Sequence, residues 1–448
     1  MALARSRSAL GAGMLALLAA VSALAVVLVS RSATPPAPPL AVAQLRIAAD
    51  QRPINRTDQV IWTYQDRVHA NPDDVAAYTA LGAAYIQRGR ETGDPTYYTK
   101  AEAALDAALE RDGQLVDALI GKATLANARH QFREGLALGE QARALNPMLA
   151  RVYGVIADSQ IELGMYDAAV ETLQQMVDLR PDLGAYTRIA YLRELHGDVA
   201  GAIDAMERAV TAGGPAAENS LWARAQLGNL FFARGDLEQA ERQYRQALAL
   251  APDDVYATAG VARVRVAQGR YDDAIDEYTR LVARMPLPEF VIALGETQEA
   301  AGKPVDAAQQ YALVRAMQQL SAANGMDTDL ELALFEVDHG NDPQAALALA
   351  RAAYTRRPSI TAADTLAWAL LKANEPTEAR RYAEEALRLG TRDALMLYHA
   401  GMIAKAQGDH AAGHEYLTQA LAINPHFSPL HALRARQALA ELSTAVGN

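Results

Sequence analysis

The chain has 448 residues, of which 51% are apolar, 21% charged and 6% aromatic, and its formal net charge is −11. That composition belongs to a globular chain, and its alanine-heavy apolar fraction favours closely packed helices over a β-rich core. The complete absence of cysteine excludes disulfides, thiolate zinc sites, iron–sulfur clusters and cysteine nucleophiles, while the acidic balance argues against general binding of nucleic-acid phosphates.

Residues 1–8 form a short flank carrying Arg5 and Arg7 and no acid. Residues 9–29 follow without a single charge. As a helix this run spans about 31 Å, the thickness of a bilayer's hydrocarbon core. Residues 30–55 are a lead-in whose Pro35, Pro36, Pro38 and Pro39 make a stiff, extended spacer. Two readings compete for this segment. One is an uncleaved signal anchor, a single transmembrane helix at 9–29. The other is a cleaved signal peptide, for which Val21, Ser22 and Ala23 offer a site. The full spanning length favours the anchor. In both readings Arg5 and Arg7 keep the amino terminus inside and the rest of the chain is exported.

From residue 56 onward one grammar repeats. Pro147 and Pro181 lie 34 residues apart, as do Pro252 and Pro286. A full copy contains Leu227-Gly228, Phe231, Gly235-Asp236-Leu237, Ala240, Tyr244, Ala247 and Pro252. The next has Val261-Ala262, Gly269-Arg270-Tyr271, Ala274, Tyr278 and Pro286. Others run through Ile156-Ala157, Gly164, Tyr166, Ala169 and Pro181, through Leu294-Gly295, Gly302, Pro304 and Ala307, and through Ala400-Gly401, Gly408, Ala420 and Pro425. This pattern resembles the tetratricopeptide repeat, and the resemblance covers most of the chain.

The small residue of each copy (Gly82, Gly228, Gly295, Gly401) lets a neighbouring helix approach closely. The mid-repeat glycine marks the turn between two helices. Pro304, Pro343 and Pro376 fall in the opening turn of the second helix, where a missing N–H costs nothing. The expected fold is all-α: a right-handed α-solenoid of about ten helix–turn–helix units, preceded by one transmembrane helix. Residues 56–74 form an amino-terminal capping helix, 75–425 the array, and 426–448 a carboxy-terminal capping helix and tail. Each unit is expected to contact only its neighbours. Apparent insertions interrupt the first copy at residues 90–97 and precede the eighth at 321–325.

Chemistry is sparse. His410 and His414 stand four residues apart on a predicted helix, with His399 on the preceding one, so two or three imidazoles could meet at a metal. The competing reading is structural, because His410 fills a turn-packing slot used elsewhere by Tyr166, Tyr271 or Pro304. No phosphate-loop, dinucleotide, nucleophile-elbow or zincin motif occurs. The acid pairs Asp73-Asp74 and Asp253-Asp254 follow prolines at repeat corners, where they cap the next helix. No catalytic domain and no cofactor are expected, so the chain reads as a non-enzyme.

The resemblance implies a concave groove lined by the residue that follows each small one. Those residues are Asp158, Tyr191, Asn229, Arg263, Glu296, Phe335 and Trp368. Asn229, Arg263 and Trp368 lie outside the packing set, so their truncation is expected to open no core cavity. A mixed polar and aromatic stripe suits an extended peptide or a partner's helix; the alternative is ordinary solvent exposure. The first copy has Thr79 and Ala83 where a chaperone-tail clamp would need Lys and Asn. The reading is therefore a membrane-tethered scaffold for a protein or peptide partner, not for nucleic acid. It would display its array on the extracytoplasmic side, as an assembly or accessory factor of an envelope complex. The alternative is a metal- or haem-handling accessory protein using His399, His410 and His414.

Overall fold

The computed structural model describes residues 56–214 and 218–446; the expected anchor at residues 9–29 lies outside them. Among the described residues there are 22 helices and no strand, and no helix is long and apolar enough to cross a membrane. Helix α1 (Arg56–Ala70) is followed by antiparallel pairs. These are α2 (Val75–Thr92) with α3 (Thr96–Arg111), α4 (Val116–Ala128) with α5 (Phe132–Leu145), and α6 (Ala150–Glu162) with α7 (Tyr166–Leu179). Next come α8 (Leu183–Leu195) with α9 (Val199–Ala212), α10 (Glu218–Ala233) with α11 (Leu237–Leu250), and α12 (Val255–Ala267) with α13 (Tyr271–Arg284). The series continues with α14 (Pro288–Ala300) and α15 (Pro304–Ala323), then α16 (Asp329–His339) and α17 (Pro343–Arg356). It ends with α18 (Ile360–Lys372) and α19 (Pro376–Ala386), α20 (Ala394–Ala406) and α21 (His410–Ile423), and the closing helix α22 (His431–Val446).

Local chemistry starts each helix where the repeat grammar expects it. Asp74 and Asp254 accept the backbone N–H of Ala77 and Ala257 at 2.9 and 2.7 Å, so the acid pairs are caps. That bond to Ala77, with Arg67 behind it, holds the Asp74 carboxyl below its usual range. Pro304, Pro343 and Pro376 each open a helix. Both insertions fall mostly within helices. The first lengthens α2 to Thr92, and the second extends α15 to Ala323.

Packing within the array follows the small residues. A Cβ on Gly228 or on Gly260 would lie 2.4 Å from Cε1 of Tyr244. The ring of Tyr244 is fully buried, so one tyrosine from α11 fills the gap against both α10 and α12. Leu105 does the same for Gly82 and Gly121, and Leu417 packs onto Gly401.

The expectation that each repeat touches only its neighbours fails. The array winds back on itself. Mid-repeat turns of the first five repeats rest on corners between later repeats, with a separation of about 190 residues throughout. A Cβ on Gly93 would lie 2.6 Å from Leu287, and on Gly164, Gly197 and Gly235 it would lie 2.3, 2.2 and 2.9 Å from the carbonyl oxygens of Pro358, Gly390 and Ile423. At the equivalent turn of the second repeat stands His130, whose Nδ1 lies 2.8 Å from the Asp327 carbonyl oxygen. Hydrogen bonds stitch the seam. Asp327 N–H donates to Arg129 O at 2.9 Å, Ile360 N–H to the Tyr166 hydroxyl at 2.8 Å, and Asn424 Nδ2 to Phe232 O at 2.8 Å. By contrast a Cβ on Gly269, Gly302 or Gly408, at the matching turns of later repeats, would meet nothing within 4 Å.

Candidate functional site

Most of the expected groove residues are tied by hydrogen bonds to side chains of neighbouring repeats, Asn229 and Arg263 to each other. Asp158 takes both donors of Arg188, Nε and Nη2, at 2.7 Å each. Asn229 Oδ1 accepts from the Tyr244 hydroxyl and from Arg263 Nη2, both at 2.7 Å. Glu296 Oε1 lies 3.2 Å from His339 Nε2. Tyr191 is the freest of the set, 40% exposed, although the groove walls and nearby Glu162 push its phenol upward.

Phe335 and Trp368 depart from the expected exposure, at 3% and 2%. Trp368 is interior because its surroundings fold over it. It stacks on His399 with centroids 4.3 Å apart, meets His431 edge-on at 6.1 Å, and donates Nε1–H to Asp338 Oδ1 at 2.9 Å. Its truncation would therefore open a core cavity, against the expectation from the repeat pattern.

His399 is fully buried, with Nδ1 2.9 Å from Asp364 Oδ2. Burial pulls this imidazole's pKa down, but Asp364, with Asp338 and Asp393 nearby, more than offsets it and the net shift is upward. His410 is exposed at the start of α21 and His414 half-buried one turn later. Among the described residues no group of three or more His, Asp or Glu could hold a metal ion, so the structure does not bring His399, His410 and His414 together as one.

The winding of the array creates what the expected stripe alone would not: a cavity of about 390 Å³. Its walls come from α10, α12, α13, α14 and α16 with one residue each from α20 and α22, and the corner after α21 closes one side with His426, Phe427 and Pro429. Arg263, Glu296 and Phe335 of the expected stripe line it, joined by Phe232 and Tyr278. Phe232 is legible from the sequence, sitting three residues after Asn229; Phe427 carries no such signal, because it arrives from the far end of the array. Beside the cavity, Arg357 spans the seam. Its Nη2 lies 2.5 Å from Glu331 and its Nη1 3.5 Å from Glu162 of the earlier turn. Burial would raise the Glu331 carboxyl, but His130 and Arg357 hold it down at about 2.

The repeat model named tetratricopeptide repeat matches residues 155–217, 226–287, 262–322 and 365–426. The matched segments are tetratricopeptide repeats, modules that generally mediate protein–protein interactions. Mouse tetratricopeptide repeat protein 36 is 37% identical over 90 residues, covering 20% of this chain and 48% of that protein. The chain spans about half the length of this curated relative. Among solved structures, a thermophilic repeat protein of Thermus thermophilus is 21% identical, covering 45% of this chain and 98% of that one, with a TM-score of 0.37. The human IFIT1 dimer with PPP-AAAA is 18% identical, covering 70% and 73%, with a TM-score of 0.47.

Proposed function

We propose that this protein is a non-catalytic interaction scaffold that binds a peptide or a partner's helix along the concave face of its array. Residues 9–29 tether it to the cytoplasmic membrane, the array stands on the extracytoplasmic side, and its role is that of an assembly or accessory factor for an envelope complex. One observation carries the binding reading: the concave face holds a cavity walled by Phe232, Tyr278, Phe335 and Phe427 with polar groups of Arg263 and Glu296 among them. Aromatic anchors with a few fixed polar groups are what partner side chains dock into.

A photo-crosslinking residue at Tyr191 is expected to capture a partner in intact cells, whereas one at Glu238 on the opposite, exposed face is not. Equal capture from both positions would remove the concave face as the binding surface. For the tether, carbonate extraction should leave the full chain in the membrane and release a chain lacking residues 1–32. Release of both would overturn the anchor.

A further inference from the structure

The polar groups around the cavity are unequally partnered. Each of its three acids has a partner: Glu296 the His339 imidazole at 3.2 Å, Glu331 the Arg357 guanidinium at 2.5 Å, and Asp338 the His431 imidazole at 3.3 Å and the Trp368 indole N–H at 2.9 Å. Arg263, which contributes the only guanidinium or ammonium of the lining, is matched to none. Among the described residues no carboxylate lies within ion-pair distance of it. Its Nη2 donates to two neutral acceptors, Asn229 Oδ1 at 2.7 Å and the Tyr244 hydroxyl at 3.0 Å. The Phe232 ring lies 4.1 Å from the guanidinium carbon, and Nε is buried with no acceptor.

Neutral partners fix the guanidinium's position without cancelling its charge. A planar cation held that way keeps donors for a carboxylate and gains strength from the low-dielectric wall around it. Most of the remaining lining is apolar, with Val266, Ile292, Leu334 and Phe427 beside the Phe232, Tyr278 and Phe335 rings, and it rewards an apolar group. A volume of about 390 Å³ lies within the range of ligand pockets. With three acids around one cation, the site does not suit a polyanion.

We infer that this cavity takes an extended peptide segment in which an acidic side chain stands next to a large apolar one. The carboxylate meets Arg263, and the apolar side chain packs among Phe232, Tyr278 and Phe335. This inference rests on the concave-face binding reading above and specifies its occupant.

The test pans a random dodecapeptide display library against the full chain in detergent micelles and measures the winners by fluorescence polarisation. Enriched peptides should share an Asp or Glu adjacent to a large apolar residue. Changing that acid to its amide in the peptide should weaken binding about tenfold or more, the scale of one charged hydrogen bond. The same peptide change should have little effect on the Arg263→Gln protein, while Arg245→Gln on the exposed opposite face should behave as wild type. The peptide-side change needs no altered protein, so a misfolded Arg263→Gln would not spoil the result. Peptides that lose binding to Phe232→Ala but show no acid preference would overturn this inference and leave the concave-face reading standing. Winners indifferent to Phe232→Ala, or no enrichment at all, would overturn both.

Discussion

At the scale of single residues, several side chains belong to the interior rather than to the surface that repeat position assigns them. Trp368 is the sharpest case: Trp368→Ala should cost about 3–5 kcal/mol, read from a denaturant midpoint, because it empties a closed site between His399 and His431. Buried titratable groups also set a pH dependence. His130 and His399 both have raised pKa values: burial pulls each down, and Glu331 and Asp364 more than offset it. Such groups contribute fully below the unfolded histidine value of about 6.5, and the contribution is lost as pH rises through the folded value. Glu194 acts in the same direction, since burial and Asp393 raise it to about 7. Its folded form holds a proton that the unfolded chain has already released. Glu331, held near 2, adds stability above about pH 4.3 that disappears only in strong acid. The melting temperature should therefore be higher at pH 5.5 than at pH 8.5. His399→Gln should shrink that difference; an unchanged difference would remove the His399–Asp364 pair as a contributor.

At the scale of helices and turns, identical local grammar serves two different surroundings. Gly164 and Gly269 both end a first helix with positive φ, 72° and 75°. A Cβ at Gly164 would strike the Pro358 backbone, whereas one at Gly269 would meet nothing within 4 Å. Gly269→Ala should cost only the left-handed penalty, about 1–2 kcal/mol. Gly164→Ala should add about 1–3 kcal/mol for the clash, since a backbone oxygen cannot swing aside as a side chain can. Equal midpoints for the two variants would count against the seam. This pair also marks the limit of what the sequence reveals. Prolines that open helices, aspartates that cap them and glycines that turn them occupy fixed repeat positions, so ten helix pairs are legible from spacing alone. A contact between residues some 190 positions apart leaves no periodic trace. The groove stripe is legible for the same reason as the turns, but its occupancy is not: whether Asp158 is free depends on Arg188 in the following repeat.

At the scale of the whole array, the seam changes how stability is distributed. An open solenoid shares stability between adjacent repeats, and its ends fray independently. Here the first five repeats lean on the last five, so closing the winding brings together residues such as Tyr166 and Ile360, 194 apart in sequence. Contacts that distant form late and tie remote elements into one cooperative unit. The winding also builds the cavity, because Phe427 and His431 reach its wall only when the last corner lies against the fifth repeat through the Asn424–Phe232 bond. Stability of the seam and shape of the binding site are then one property. A chain ending at residue 326 loses the corners beneath His130, Gly164, Gly197 and Gly235 but keeps every neighbour of the second to fifth repeats. Hydrogen exchange should rise at those four turns in the shortened chain, most of all at the turn containing Gly235, whose partner Asn424 is gone. An increase confined to α14 and α15, next to the new end, is what an open nearest-neighbour solenoid would give, and would mean that the seam does not hold the array closed in solution.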